Sequence, residues 1–369
     1  MEFGLNEDQR LVDQSLRGFL ADAVGMDQIR DMAEKRTGFD PKLWSGLCEL
    51  GLPGLMIPEH LGGAGLGMLE AAVVAEALGH AAATAPFAGA CVMAPLAILL
   101  GGSEEQQQQW LPAMARGEAR LGVACGALSG ATGTADLSLS GTQLSGQVSG
   151  VLDSGGANHV LVFLDDGKAM IVALDDTSDN MGATLTPRPS LDRTRPLADL
   201  TLENVEVVAL DNVGDAMEMA HRVLDAGRLM LAADTLGAGQ CMLEKAVEYA
   251  HQRVQFGRII ASYQAVKHMC AEMAAALEPC RSLVWYGAHI QAGDDPVERR
   301  VLACLAKSHL AEVGRDVTRT ATEVHGGMGF TDLMGLHFWF KRISFDRQVL
   351  GGPERCRQEA AQIQGWMAA

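Results

Sequence analysis

The sequence predicts an α+β fold that is mostly α-helical, with a helical region, a β region and a second helical region in that order. In the first region apolar residues recur at helical spacing, as in Gln9–Ala23, where Leu11, Leu16, Phe19 and Leu20 share one face. Short alternating segments broken by Gly, Asp and Asn dominate the second region. Four long helical stretches with short connections form the third and favour a four-helix bundle.

These changes in pattern predict an N-terminal helical domain over 1–118, a middle β-domain over 119–212 and a C-terminal bundle over 213–369. In the first domain Asp40 is a predicted N-cap with Pro41 at the first helical position. Another helix is predicted over Met68–Leu78, and Ala81–Leu100 is expected to be a buried helix or helix pair. The predicted strands are Leu144–Gly150, His159–Leu164, Ala169–Leu174, Thr184–Arg188 and Leu200–Val208. The predicted bundle helices are Asp215–Gln252, Tyr263–Ala292, Pro296–His325 and Arg347–Met367.

Composition excludes several classes of function. The chain of 369 residues is 48% hydrophobic and 20% charged, as expected of a globular protein, and carries a net charge of -17. Such a negative chain is a poor candidate for binding nucleic acid or an anionic membrane, because phosphate would be repelled. The eight cysteines include no C-x-x-C pair. We therefore expect buried thiols in a reducing cytoplasm, no metal site and no membrane-spanning helix.

Two short motifs lie at the ends of helical stretches. Residues 251–258 contain His-Gln-Arg-Val-Gln-Phe-Gly-Arg, and residues 322–330 contain Thr-Glu-Val-His-Gly-Gly-Met-Gly-Phe. Further runs precede them in the N-terminal region, among them Ile57-Pro58-Glu59, Gly62-Gly63-x-Gly65 and Glu76-Ala77-Leu78-Gly79. In this order, and over the whole chain, they resemble the motifs of the acyl-CoA dehydrogenases. The resemblance implies that family's fold of helical domain, β-domain and four-helix bundle.

The resemblance implies an FAD site shared between subunits. Arg253 would contact the pyrophosphate of an FAD bound mainly by a neighbouring subunit, and Gln255, Phe256 and Gln264 would continue the contact. Gly326 and Gly327 would let backbone N–H groups approach the cofactor closely. The other cofactor-contact positions implied by the resemblance are Glu323, Val324 and His325. Glu323 departs from the family's Gln there, and a carboxylate cannot donate a hydrogen bond.

Simpler interpretations remain for the same residues. Arg253 could be a solvated charge at a helix end, and the two glycines could be an ordinary helix C-cap.

The catalytic glutamate of the family is missing at both of its usual positions. That residue removes the α-proton of an acyl thioester while hydride passes from Cβ to the flavin. The two matching positions here are Gly227 and Gly351, and both are expected to leave space where a side chain normally stands. The resemblance places Arg228 at the bottom of the substrate cavity, whereas an ion pair with Asp225 is the alternative.

Two other acids are candidates for a displaced base. Glu354 lies three residues beyond Gly351, and Asp225 lies two residues before Gly227. Each would require a shift in register, and a solvated helix face is the simpler interpretation for both.

The middle region also lacks the family's flavin cradle. Residues 124–130 have neither the acid and proline nor the Ser-Asp pair expected there, although Ser129 and Gly130 resemble a remnant. The next strand has Gly150-Val151-Leu152 where the family brings an aromatic ring and a hydroxyl to the flavin. Residues that would reach a partner's cofactor are thus present, while those that would hold this chain's own flavin are absent.

This one-sided pattern resembles the non-catalytic subunit of α2β2 acyl-CoA dehydrogenases that act on steroid side chains. The implied partners are a paralogous subunit that carries the glutamate, an acyl-CoA substrate and an electron-transfer flavoprotein as acceptor. A homomeric dehydrogenase with a displaced base such as Glu354, and a non-enzymatic scaffold of the same fold, are the alternatives. Subunit contacts are expected from apolar residues of the C-terminal helices, namely Met230, Leu231, Leu236, Val247, Trp285, Leu302, Leu305 and Leu310.

Overall fold

Six α-helices form the N-terminal region of the computed structural model, which describes residues 4–129, 135–174 and 182–367. Asp40 caps the third helix as predicted, because its carboxylate accepts hydrogen bonds from the backbone N–H groups of Lys42 (2.9 Å) and Leu43 (3.3 Å). The helices are α1 (Glu7–Ala23), α2 (Met26–Lys35), α3 (Pro41–Glu49), α4 (Met68–His80), α5 (Ala94–Gly101) and α6 (Glu104–Ala115).

The apolar stretch predicted over Ala81–Leu100 is more irregular than a helix or a helix pair. After α4 the chain makes a non-helical turn, enters a π-helix over Ala88–Met93 and continues directly into α5. Pro95 stands in the first turn of α5, which continues the π-helix, so its missing N–H removes one donor from this helical stretch. The whole segment is buried, as its composition predicts.

The middle region is built from two four-stranded sheets. One has the order β1-β4-β5-β8, with β1 parallel to β4, and the other is the antiparallel sheet β2-β3-β7-β6. The five predicted strands are present with small shifts at their ends, whereas β1, β2 and β8 were not predicted. The elements are β1 (Leu121–Ala124), α7 (Gly126–Ser129), β2 (Ala135–Ser140), β3 (Gln143–Val151), β4 (His159–Phe163), β5 (Ala169–Ala173), β6 (Ala183–Pro187), β7 (Ala198–Glu206) and β8 (Val208–Ala209).

The first sheet is buried on both faces. On β4, Val160 and Val162 join an apolar cluster with residues of the second sheet, whereas Leu161 and Phe163 point to the other side and join the main core with the helices. Successive side chains of a strand point to opposite faces, so one strand serves both cores. This sheet therefore links the β region to the helices.

Three long helices and two shorter ones form the C-terminal region. The single helix predicted over Arg347–Met367 is wrong, because residues 349–352 interrupt it and Leu350 (φ 60°) and Gly351 (φ 101°) have left-handed backbone. Arg347 instead belongs to the last turn of a helix that begins at Leu336 and was not predicted. The elements are α8 (Ala216–Gln252), β9 (Val254–Gln255), β10 (Arg258–Ile259), α9 (Gln264–His289), α10 (Pro296–His325), α11 (Leu336–Gln348) and α12 (Pro353–Ile363).

Helices α4 and α8 pack with their backbones in close approach. A Cβ at Gly79 would overlap the carbonyl oxygen of Asp234, and one at Gly237 would overlap that of Glu76. The small residues of both helices permit this distance, which larger side chains would prevent. Helix α8 consequently lies in the centre of the molecule, buried along most of its 37 residues.

A buried ion-pair network joins all three regions. Arg342 on α11 donates to Asp192 (2.8 Å) and Asp234 (3.2 Å), and also to the carbonyl oxygen of Ala83 (3.0 Å) after α4. Arg195, on the loop between β6 and β7, lies 3.2 Å from Asp234. This network fixes the sheets against the helices.

Two more carboxylates complete the network around Arg195. Its guanidinium lies 3.4 Å from Asp346 of α11 and 3.6 Å from Asp153, which follows β3. Asp153 also accepts from the backbone N–H of Gly89 (2.6 Å) in the π-helix. Burial and the neighbouring Asp234 carboxylate raise the pKa of Asp346, while burial raises the pKa of Asp153. Carboxylates outnumber guanidinium groups here, and a raised pKa relieves that imbalance.

We predict that Arg342→Met lowers the free energy of unfolding by about 3–5 kcal/mol, because it leaves Asp192 and Asp234 buried without that cation. Urea denaturation followed by circular dichroism measures the loss. Arg116→Met, which breaks an ion pair with the exposed Glu118, is the control and should leave the unfolding midpoint unchanged. Equal midpoints for Arg342→Met and the wild type would contradict a stabilising role for the network.

Candidate functional site

The segment after α8 forms a protruding β-hairpin, not the helix end that the sequence suggested. Strands β9 and β10 pair Val254 with Ile259 and Gln255 with Arg258. The two turn residues have positive φ angles, 52° at Phe256 and 78° at Gly257, as in a type I′ turn. Such turns favour Asn-Gly, so Phe-Gly was a weak signal in the sequence.

The hairpin exposes its side chains. Phe256 is 94% exposed in a backbone conformation that a bulky residue rarely adopts, and Val254 is 53% exposed. Arg253 at its base is also exposed and has no ion pair among the described residues. Gln264, the first residue of α9, is exposed as well. An apolar tip with a free cation at its base is suited to contact with another molecule.

The glycine turn after α10 is equally open. Gly326 has φ 57° and ψ −140°, a conformation that disfavours a Cβ. No atom lies within 4 Å of a Cβ built at Gly326 or Gly327. Glu323 is exposed and Val324 is buried. The backbone of the turn is therefore accessible, as a close cofactor contact would require.

His325 and Tyr249 join the hairpin to the glycine turn. Their rings stack with centroids 4.5 Å apart, and the carbonyl oxygen of Tyr249 accepts from the backbone N–H of Arg253 (2.9 Å). The buried His325 contacts the carbonyl oxygen of Ala321 through Nδ1 (2.7 Å), while Nε2 has no partner among the described residues. Burial lowers the pKa of His325, which favours the neutral ring. His325 is thus a buried ring that supports the hairpin and the glycine turn. The exposed groups here belong to Arg253 and Phe256 in the hairpin and to Gly326 and Gly327 in the turn.

A separate cavity of about 300 Å³ lies where the family motifs place this chain's own flavin. Its wall includes Ser129 of α7, Gly150 of β3 and Leu350 next to the vacant base position. Gly130 lies outside the described residues. The other lining residues are Cys125, Gly126, Ser149, Arg188, Pro189, Ser190, Leu191, Leu197, Ser344, Phe345, Gln348 and Val349.

This cavity does not fit a flavin with its substrate. Sites for drug-sized ligands span about 300–1,000 Å³, and FAD with an acyl-CoA needs more than the lower end of that range. Helix α7 occupies the place of the expected cradle loop, and Arg355 of α12 donates to the carbonyl oxygen of Leu128 within it (3.1 Å). Ser149, one residue before Gly150, also lines the cavity and carries a hydroxyl, which the sequence analysis overlooked.

The base position on α8 is filled and not empty as expected. A Cβ at Gly227 would lie 2.5 Å from the sulfur of Met93 and 2.6 Å from Cδ1 of Leu350. At Gly351 the φ of 101° disfavours any side chain, and a Cβ would lie 3.3 Å from Nη2 of Arg228. A side chain at Gly227 would therefore require Met93 and Leu350 to shift, and backbone strain opposes one at Gly351.

Arg228 lies in a buried ion cluster and does not line the described cavity. It donates to Asp225 (3.2 Å), to Glu359 of α12 (2.7 Å) and to the carbonyl oxygen of Leu350 (3.0 Å). The ion pair with Asp225, the alternative interpretation of the sequence, is therefore present, while substrate contact by Arg228 stays a prediction. Burial raises the pKa of Asp225 to about 7, although the nearby Arg228 and Arg300 lower that pKa.

Neither candidate for a displaced base faces the cavity. Glu354 is 72% exposed at the start of α12, with Arg347 at 3.5 Å. Its own backbone N–H lowers the pKa of its carboxyl, and Arg347 adds to that shift. Asp225 is buried in the cluster around Arg228, where its Oδ1 accepts from Arg228 and its Oδ2 lies 3.5 Å from Arg300.

Half of the predicted interface residues are core residues of this chain. Met230, Leu231, Leu236 and Leu310 are buried within the chain. Those left for a partner are Val247 and Leu305, each 37% exposed, and the half-buried Trp285 and Leu302. The described residues contain no cluster of three or more potential metal ligands and no helix long and apolar enough to span a membrane.

Comparison with known proteins agrees with the motifs. The family described as "Acyl-CoA dehydrogenase, N-terminal domain" matches residues 6–118, and "Acyl-CoA dehydrogenase, C-terminal domain" matches residues 214–363. The chain belongs to the acyl-CoA dehydrogenase family. The family comprises flavoprotein oxidoreductases that act on acyl-CoAs and bind FAD.

One relative and two solved structures are similar over nearly the whole chain. The chain is 29% identical to acyl-CoA dehydrogenase IpdE2 of Mycolicibacterium smegmatis over 97% of this chain and 100% of that protein. It resembles the crystal structure of the ChsE4-ChsE5 complex from Mycobacterium tuberculosis with a TM-score of 0.88, 27% identity and 100% of both chains covered. A Tcur3481-Tcur3483 steroid acyl-CoA dehydrogenase variant gives a TM-score of 0.85 and 28% identity, with 98% of both chains covered.

We predict that Gly227→Glu neither creates dehydrogenase activity nor leaves stability intact, because Met93 and Leu350 occupy the space. Even Gly227→Ala should lower the free energy of unfolding by about 1–3 kcal/mol through overpacking. Gly18→Ala on α1 is the matched control, since no atom lies within 4 Å of its built Cβ. It should stabilise the protein by about 0.5–1 kcal/mol. Urea unfolding measures the stability of each variant, and dye reduction with acyl-CoA measures dehydrogenase activity. A stable Gly227→Glu variant that reduces the dye would contradict the interpretation that Met93 and Leu350 occupy the base position.

Proposed function

We propose that this chain is the subunit without the catalytic base in a heteromeric FAD-dependent acyl-CoA dehydrogenase. The observation that carries the proposal is a contrast between two places in the molecule. The predicted base position on α8 is packed by Met93 and Leu350, whereas Arg253 and Phe256 on the hairpin are exposed and Arg253 has no ion pair among the described residues. A homomeric enzyme with its base on α8 would need the first place open.

The exposed segments suit a cofactor held mainly by a neighbouring subunit. The free guanidinium of Arg253 would donate to the FAD pyrophosphate, with Gln255, Phe256 and Gln264 alongside. The open backbone at Gly326 and Gly327 would approach the cofactor, with Glu323, Val324 and His325 leading into that turn. When bound, FAD supplies the hydride acceptor for α,β-desaturation of an acyl-CoA thioester.

The partner in this proposal is a paralogous subunit that carries the catalytic glutamate. The likeness to the ChsE4-ChsE5 complex and to a steroid acyl-CoA dehydrogenase supports two different chains and a substrate with a steroid side chain. An electron-transfer flavoprotein is the proposed acceptor, and the cytoplasm is the proposed location. Substrate contact by Arg228 stays a prediction outside this proposal: Nε and Nη1 donate to Leu350, Asp225 and Glu359, while Nη2 has no hydrogen-bond partner among the described residues.

We predict that Arg253→Ala weakens FAD binding in the assembled protein and leaves each subunit folded. The lost charge-assisted contact is worth about 1.5–3 kcal/mol, so flavin should dissociate on dilution. Flavin absorbance after gel filtration measures the loss. Lys42→Ala, which removes a cation from α3, is the control and should retain all flavin. Unchanged flavin content and affinity in Arg253→Ala would leave Arg253 as a solvated charge.

We also predict that the complex contains half as many flavins as subunits, and that this chain is colourless when purified alone. Assembly and flavin binding should be linked, because a ligand that binds only the assembled state stabilises it. Light scattering with a flavin absorbance count on the co-expressed chains measures both. A homotetramer of this chain with one flavin per copy would overturn the heteromer and support a self-sufficient dehydrogenase.

A further inference from the structure

We propose that a groove between α2, the loop from β6 to β7, and α11 binds a small phosphate-bearing anion. The groove has a volume of about 370 Å³. It shares no lining residue with the cavity next to Gly150, and no residue of the exposed hairpin lines it. Its cationic side chains are Arg30 and Arg36 from α2, Arg193 from the loop and Lys341 from α11.

Cations exceed carboxylates in this groove once existing ion pairs are counted. The carboxylate of Asp332 is bound by Arg30 (3.1 Å), and the buried Asp192 is bound by Arg342 (2.8 Å). Glu34 is the one lining carboxylate without an ion pair among the described residues.

Three cations stay free beside it. Arg36, Arg193 and Lys341 have no ion pair among the described residues. In a chain with a net charge of -17, three unpaired cations from separate elements that line one groove with a single unpaired carboxylate, Glu34, among the described residues favour an anionic ligand.

The backbone holds two of these cations in defined positions. The Asp192 carboxylate accepts from the backbone N–H (2.9 Å) and the hydroxyl (2.6 Å) of Thr194, which fixes the turn that carries Arg193. Arg36 is the C-cap of α2 with φ 56°, a left-handed conformation usually taken by glycine or asparagine. This conformation places Arg36 at the edge of the groove, directly after the last turn of α2.

The shape and charge of the groove suit a ligand of nucleotide size. Its volume lies in the range of about 300–1,000 Å³ for small-molecule sites. Guanidinium groups bind phosphate through paired N–H donors, and the Lys341 ammonium adds a point charge. Burial, Lys341 and Arg30 lower the pKa of His337, so the groove charge at neutral pH comes from its arginines and lysine.

Calorimetric titration of the purified protein, in the assembly that it forms, tests the site with inorganic pyrophosphate, ADP and CoA. We expect binding of at least one probe, weakened by added salt. The double variant Arg193→Gln/Lys341→Gln should reduce that affinity at least about tenfold. Lys42→Gln/Arg116→Gln removes the same charge outside the groove and should retain the wild-type affinity.

The pattern of affinities identifies the source of the phosphate. Equal affinities for pyrophosphate and ADP would assign the site to phosphate alone, whereas tighter binding of CoA would assign it to the coenzyme. Binding that is lost equally in both double variants would show general electrostatic attraction and overturn the site. The absence of binding for all three probes at millimolar concentration would also overturn it. CoA and ADP also resemble the acyl-CoA and FAD of the proposed shared site, so only affinity that is lost in Arg193→Gln/Lys341→Gln and kept in Lys42→Gln/Arg116→Gln is assigned to the groove.

Discussion

The buried network of Arg195 and Arg342 with four aspartates is the interaction on which the arrangement of the three regions depends. Asp153 comes from the end of β3, Asp192 from the loop after β6, Asp234 from α8 and Asp346 from α11. Buried charges are tolerated only when paired, so each of these elements is held where its partner lies. The same network fixes the loop that carries Arg193 and the helix that carries Lys341.

Two regions around this network, the predicted base positions and the exposed hairpin, differ in packing. At Gly227 and Gly351 the interior is packed by Met93, Leu350 and the Arg228 cluster, so a carboxylate there would require these side chains to move. By contrast, Phe256 at the hairpin tip is 94% exposed and contacts Tyr263 edge-on, with ring centroids 6.5 Å apart. In the proposed function, packed base positions and an exposed hairpin suit a subunit that shares its cofactor site with a different chain.

The hairpin and the glycine turn act as one unit because α8 and α10 end side by side. Tyr249 and His325 stack at that point, and each is followed within a few residues by an exposed segment. Burial keeps the His325 ring neutral, so it packs as an aromatic support without adding charge next to Arg253. Displacement of either helix end would move both segments together.

The sequence by itself determined the fold class and the family, and it predicted that Gly227 and Gly351 stand at the family's two base positions. Helical and strand periodicity are local properties, and the Asp40 cap and the course of α8, α9 and α10 followed from them. The hairpin at Phe256, the break at Leu350 and the ion pairs of Arg228 were decided only by the tertiary structure. Turn conformation and the partner of a buried charge depend on residues distant in the chain. Whether a glycine leaves space likewise depends on its neighbours, and at Gly227 those are Met93 and Leu350, more than a hundred residues away on either side.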